Sequence, residues 1–181
     1  LANQCLNHTV EEYKNGLLYD TERDASLVER LRRIMLRTVW AITEQMKLGQ
    51  FDTVDSEVSF RMDKEKQTYI GRVDRIDTME TEENIYVKIV DYKTGMKDLS
   101  LSDLYYGLQL QLMVYLRAAV DKQTRRSKKM VIPAGVLYYH IEDPFVTSRL
   151  DFEEKRTYLL NELLMRGLVN EEDPVLPSLD A

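Results

Sequence analysis

Apolar positions recur at helical spacing between Asp24 and about Leu48, where Leu27, Leu31, Ile34, Met35, Val39 and Ile42 form one stripe and Gly49 supplies a stop. A weaker pattern over Asn3 to Asn15 (Leu6, Val10, Tyr13) predicts a short helix ended by Gly16. From Phe51 to Met62 the period changes to two. Val54, Val58 and Phe60 share one parity, and Asp55 and Glu57 the other, which predicts a half-buried edge strand. Two further strands follow, Tyr69 to Asp77 and Ile85 to Lys93, joined by a hairpin near Glu80 to Asn84. Asp98 to Ala119 reads as one helix, capped by Ser100 or Ser102 with Asp103 in its first turn, and with Leu104, Leu108, Leu112, Tyr115 and Leu116 as its core stripe. Val131 to Ile141 reads as a buried strand with Pro133 near its start, and Asp151 to Gly167 as an amphipathic helix. The tail, with Pro174 and Pro177, is expected to be extended and poorly ordered. The pattern predicts a single α/β domain: N-terminal helices over 1–49, a core over 51–141, a C-terminal helix over 151–167 and a tail over 168–181.

The strand ending in Ile89-Val90-Asp91-Tyr92-Lys93-Thr94-Gly95 breaks its own apolar rule. Val87, Ile89, Asp91 and Lys93 lie on one face, so an acid and a lysine continue a core-facing row. Such charges need a partner or a metal. A buried Asp91–Lys93 ion pair answers that need as well as a metal site does. On the preceding strand, parity puts Ile70, Asp74 and Ile76 on one face and Val73 and Asp77 on the other. A hairpin pairing would bring Asp74 beside Asp91. Two such carboxylates repel one another but suit a hard divalent cation.

One acid on each of two adjacent strands, with a lysine two residues after the second, resembles the core of the PD-(D/E)XK nucleases. Ser56-Glu57-Val58-Ser59-Phe60 resembles the strand that adds a further acidic ligand in that superfamily, and Gln111-x-x-x-Tyr115 the signature of its RecB-like branch. The runs Gly71 to Asp77, Ile89 to Gly95, Tyr105 to Gln111 and Pro133 to His140 together are similar to the nuclease domains of the AddB family, over about Leu27 to Pro144. The resemblance implies a restriction-endonuclease-like core, a central mixed sheet with flanking helices. It implies Mg²⁺ or Mn²⁺ held by Asp74 and Asp91 with Glu57 and the Tyr92 carbonyl. Lys93 would orient or help deprotonate the attacking water, and Gln111 and Tyr115 would position the site. It further implies a DNA exonuclease of double-strand break repair and recombination, cytoplasmic, partnered by an AddA-type helicase–nuclease subunit. The metal-binding histidine of RecB-like relatives has no matching motif here and is expected upstream of Leu1; His8 reads as a surface residue. The family's iron–sulfur cluster needs cysteines beyond Cys5. That single cysteine also disfavours a Cas4-like nuclease, with its four-cysteine cluster. The alternatives are another RecB-like nuclease, of Cas4-like or phage type, or an inactive nuclease fold used for DNA binding or docking; the intact Asp74, Asp91 and Lys93 argue against the latter.

Composition changes this picture little. The chain has 181 residues, 44% of them hydrophobic and 31% charged, as in an ordinary globular domain. It carries no apolar run long enough for a bilayer and no phosphate loop of the Walker type. The net charge of −6 argues mildly against a polyanionic partner, although catalytic acids contribute to it. Basic residues cluster at Arg30, Arg32, Arg33 and Arg37, and again from Lys122 to Lys129, the second read as a solvated loop or a DNA contact. A start at Leu1 rather than Met reads as an excised fragment.

Overall fold

The computed structural model describes residues 2–13, 22–64, 67–95, 99–147, 149–171 and 174–179. The expected stop at Gly16 and the helix start at Asp98 lie outside them. Two compact units emerge: Leu1–Glu44 with Ile141–Leu163, and Gln45–His140 with Leu164–Ala181.

In the first unit, α1 (Ala2–Glu12) and α2 (Glu22–Leu48, which runs on into the second unit) form where helices are expected, but α2 buries Val28, Ala41 and Gln45, while Leu27, Leu31 and Val39 of the expected stripe are exposed. Arg32 of α2 donates to Asn7 of α1 at 3.1 Å. Much of the first basic cluster is internally neutralised: Arg33 and Arg37 bind Asp143 at 2.5 and 2.7 Å, with Arg30 at 3.8 Å. The hydrogen bond and charge of Arg33 outweigh desolvation and hold the Asp143 carboxyl below its ordinary range. Helix α5 (Phe152–Glu162) starts at a reciprocal capping box between Asp151 and Glu154.

The second unit is a five-stranded sheet in the order β1-β2-β3-β4-β5. Strands β1 (Asp52–Lys64), β2 (Gln67–Glu80) and β3 (Asn84–Lys93) form an antiparallel meander. Between β3 and β4 (Met130–His140) the chain runs through α3 (Leu101–Tyr105) and α4 (Gln111–Arg126), so that β3 and β4 pair in parallel. β5 (Arg166–Val169) returns antiparallel to β4. The sheet is mixed and helix-flanked, as expected. Val73, Ile76, Val87, Ile89, Val136 and Tyr138 pack with Leu112 and Ala119 of α4 on one face. Phe51, Met79, Tyr86, Ala134 and Val175 form a second cluster.

Several expectations are corrected. The helix expected over Asp98 to Ala119 is two helices. Ser100 caps α3 by accepting from the Asp103 amide at 3.2 Å, but Gly107 then takes φ +75°, a left-handed conformation that ends the helix. Leu108, placed in the core stripe by periodicity, is 73% exposed, and the buried Gln109 accepts from the Ser100 amide at 2.9 Å. Helix α4 then runs past Ala119 to Arg126, so Lys122, Arg125 and Arg126 are helical rather than in a loop. Lys122 and Arg126 both bind Asp55 of β1, at 3.0 and 2.8 Å. Helix α5 stops at Glu162, and residues 166–169 form β5, whose Leu168 packs against the main core. Hydrogen bonding to the open edge of β4 overrides local helical spacing there. In the tail, Val175 and Ser178 are buried, and the Ser178 carbonyl accepts from the Gln50 amide at 2.9 Å.

The alternation on β1 and β2 also fails at one level of the sheet. Val73 and Ile76, three residues apart, enter the same core. On the partner strand, Asp55 meets α4 side chains, while Val58, three residues on, packs against that core. Glu57 adopts φ +53°, the left-handed region, and this is where β1 changes face. Asp74 sits at the matching break in β2.

Candidate active site

The β2–β3 ladder ends at the pair Arg75↔Val90. One step further, where counting brings Asp74 opposite Asp91, the strands part. On the β2 side the Asp74 carboxylate accepts from the Tyr92 amide at 2.8 Å, while Tyr92 stays in register with Tyr139 of β4. Register, rather than parity, thus carries Asp74 to the end of β3. Asp91 is 3% exposed and continues the row of Val87 and Ile89, as the pattern predicts. Lys93 Nζ lies 2.5 Å from Asp91 Oδ2.

Helix α4 brings the remaining candidates. Gln111 opens it, and Leu112, fully buried, anchors that first turn to the sheet. Gln111 Nε2 donates to the Tyr115 hydroxyl at 2.9 Å and lies 3.5 Å from Asp91 Oδ1, a long contact. Tyr115 packs edge-on against Phe60 of β1 with ring centroids 5.6 Å apart. Gly71 makes that contact possible. A Cβ there would stand 2.8 Å from Phe60 and 3.0 Å from Tyr115.

Lys93, Asp91, Gln111 and Tyr115 are therefore linked by consecutive contacts, and Asp74 reaches the same end of β3 through the Tyr92 amide. Glu57 is not among them: its carboxylate binds Arg72 at 2.8 Å and is more than half exposed. The basic cleft of about 440 Å³ between β1 and the far half of α4, lined by Arg61, Lys122 and Arg125, includes none of the candidate residues.

Two neighbours escaped the sequence reading. Tyr138 pairs with Asp91, and His140 with Lys93, in the parallel β3–β4 register. The Tyr138 ring lies 5.5 Å from Lys93 Nζ, a cation–π contact, and His140 Nδ1 stands 3.0 Å from the Gly95 carbonyl, within hydrogen-bond reach. A signal existed: β4 ends in Tyr138-Tyr139-His140, a polar finish like that of β3.

Burial pulls the Lys93 ammonium down, but the hydrogen bond and charge of Asp91, with Tyr138 and Asp74 behind it, outweigh that cost and raise its pKa. Lys93 is therefore a cation at neutral pH. Burial pushes the Tyr138 phenol up, against the pull of Lys93.

Among the described residues no group of three or more His, Cys, Asp or Glu side chains is arranged to hold a metal ion. What the end of β3 offers is the Asp74 carboxylate, bonded to the Tyr92 amide, and the Asp91 carboxylate, paired with Lys93, with backbone carbonyls as the other oxygen donors. That is an all-oxygen donor set, and Mg²⁺ is commonly held by one or two carboxylates while waters and substrate phosphates complete its shell. The residues fit a hard divalent ion in that manner, and they do not fit a soft one. Among the described residues, no helix is long and apolar enough to cross a membrane.

Comparison with known proteins agrees with this arrangement. The family model described as the PD-(D/E)XK nuclease superfamily matches residues 2–177. The chain is 40% identical over 181 residues to an ATP-dependent helicase/deoxyribonuclease subunit, of the AddB type, from Lachnoclostridium phytofermentans, an alignment covering 99% of this chain and 16% of that protein. It is 36% identical over 192 residues to the protein of the same name from Alkaliphilus oremlandii, covering 99% of this chain and 17% of that protein. The chain thus spans about one sixth of the length of the curated relatives it matches. With the superfamily's pattern of Asp74, Asp91 and Lys93 standing at one sheet end, and a match along nearly its whole length, the chain belongs to the PD-(D/E)XK nuclease superfamily.

Proposed function

We propose that this chain is one nuclease domain, a metal-dependent deoxyribonuclease that hydrolyses phosphodiester bonds as an exonuclease. We place it within a cytoplasmic AddAB-type helicase–nuclease acting in double-strand break repair and recombination, alongside an AddA-type subunit. The observation that carries the nuclease reading is the meeting of Asp74, Asp91 and Lys93 at the end of β3, under the first turn of α4. The helicase context rests on the relatives' names.

Asp74, Asp91 and the Tyr92 carbonyl would hold Mg²⁺ or Mn²⁺. A bound ion supplies Lewis acidity toward the phosphoryl oxygens and the attacking water. Glu57 would join as a further ligand only on giving up Arg72. Lys93, held beside Asp91, would offset charge that develops on the phosphoryl oxygens and orient or help deprotonate the attacking water. Gln111 offers both a donor and an acceptor to water or a phosphate oxygen, and Tyr115 fixes the orientation of its amide. Tyr138 flanks the lysine and keeps it on the Asp91 side.

The test is cleavage of single-stranded DNA in Mg²⁺, Mn²⁺ or EDTA, beside Asp91→Ala. Cleavage that requires the ion and vanishes in Asp91→Ala supports the reading. Cleavage that survives EDTA, or survives in Asp91→Ala, overturns it.

A further inference from the structure

From Leu104 to Leu116 this chain, 31% charged overall, carries no charged side chain. Part of that run is buried, but the turn between α3 and α4 is not. Tyr105 is 85% exposed, Tyr106 74% and Leu108 73%, with Leu110 half exposed. Four large apolar side chains thus stand exposed within six residues, a concentration that marks an interaction site. The two tyrosine rings meet edge to face, with centroids 5.3 Å apart at 82°, so their planes stand nearly perpendicular. The turn is firmly held at both ends: Gln109 is tied to the Ser100 amide, Gly107 fixes the reversal, and Leu112 is fully buried. Gln111, the residue that ends the turn, reaches to 3.5 Å from Asp91 Oδ1.

We infer that Tyr105 and Tyr106 form a stacking platform for the bases of a single DNA strand beside the cleavage site. This rests on the nuclease reading above. Three observations select the ligand. The patch has no cation, so it is not built to neutralise phosphates. It offers flat aromatic faces, which every base can stack against whatever its sequence. It leads along the chain directly into Gln111, whose amide reaches to 3.5 Å from Asp91 Oδ1. In a duplex the base faces are already stacked on their neighbours, so the platform selects single strands or frayed ends. The phosphate at the cleavage site would then be placed by bases held a short distance away along the strand.

The experiment uses the full-length native protein with any subunits that co-purify, in EDTA to prevent cleavage. Fluorescence anisotropy measures binding of a fluorescein-labelled oligothymidylate and of an abasic strand of equal length, which keeps the phosphates and lacks the bases. Tyr105→Ala with Tyr106→Ala is expected to weaken binding of the base-bearing strand by roughly tenfold or more, the scale of losing one or two stacked bases, and to leave the abasic strand unchanged. Tyr105→Trp with Tyr106→Trp should restore binding. Equal losses on both strands, or no loss on either, overturn the platform. Unchanged DNA binding together with loss of a co-purifying subunit overturns it as well, and marks the patch as a protein interface. Cleavage by Asp91→Ala is scored separately. If that variant still cuts DNA, the active-site assignment fails while base-dependent binding at the tyrosines still stands or falls on its own result.

Discussion

Asp77→Asn tests whether the sheet beneath the site depends on a buried ion cluster. Asp77 is fully buried, Arg75 is 4% exposed and Lys88 fully buried. Asp77 receives two hydrogen bonds from Arg75, at 2.7 and 2.6 Å, and one from Thr53 at 2.8 Å, with Lys88 Nζ 3.8 Å away. Burial lowers the Arg75 pKa, but the hydrogen bond and charge of Asp77, helped by Tyr92, outweigh that and raise it. Removing the anion between them leaves two cations in the interior. Lys88 keeps its contact 4.7 Å from the Phe51 ring but loses a carboxylate 3.8 Å away, and Arg75 loses two charge-assisted hydrogen bonds. Breaking a buried pair by deleting one partner costs about 3–5 kcal/mol, out of a total stability of about 5–15 kcal/mol. With a urea slope of about 2 kcal/mol/M, the midpoint should fall by roughly 1.5–2.5 M. The check is urea denaturation followed by circular dichroism, with the slope unchanged. A loss below about 1 kcal/mol would show that the interior accommodates both cations, and would refute the reasoning. The combined replacement Arg75→Met, Asp77→Leu, Lys88→Met should fall far short of the single-variant loss, because a buried charge cluster exchanged whole for apolar groups is often neutral.

Lys93→Ala should abolish cleavage while leaving the urea midpoint nearly unchanged, because the lysine is partly exposed and its loss frees Asp91 for a cation; isothermal titration with Mn²⁺ should show binding retained. Gln111→Ala should lower the cleavage rate by roughly a hundredfold, the scale of one preorganised hydrogen-bond partner, and Tyr115→Phe by less, since the ring keeps its packing on Phe60; single-turnover kinetics on one substrate would rank them. Gly71→Ala places a methyl against Phe60 and Tyr115 and should displace the tyrosine that holds Gln111. Its effect on cleavage should therefore exceed that of Tyr115→Phe, and equal rates for Gly71→Ala and the unaltered protein would refute the link.

The positions of Asp91 and Lys93 were legible because β3 is a central strand whose Ile85, Val87 and Ile89 enter one cluster and Tyr86 the other, so charges that continue the first row stand out. Asp74 was legible for a different reason. Parity put it on the face of Ile76, and that argument does not survive the change of face between Val73 and Ile76; what survives is register, since counting from the hairpin still brings Asp74 opposite Asp91. Glu57 shows the limit. Its left-handed backbone is a choice that glycine or asparagine would have announced and glutamate does not, so nothing local signals that β1 changes face there. At Gly107 the signal was present and outvoted. Leu104, Leu108 and Leu112 keep helical spacing across the break, and periodicity reads them as one stripe although Leu108 faces outward. The buried triad was hidden more deeply: Lys88 between Val87 and Ile89 looks like an outward polar residue of a half-buried strand, yet it lies inside with Asp77 of β2 among its partners. Lys88 is placed by a partner distant in sequence, whereas the break at Gly107 is local and was simply outvoted by the leucine spacing. The candidate site at the end of β3 is accordingly the more readable part, because Asp91 and Lys93 interrupt an apolar row, whereas the shape of the turn that presents Tyr105 and Tyr106 follows from one glycine and one buried glutamine that no spacing rule ranks above their neighbours.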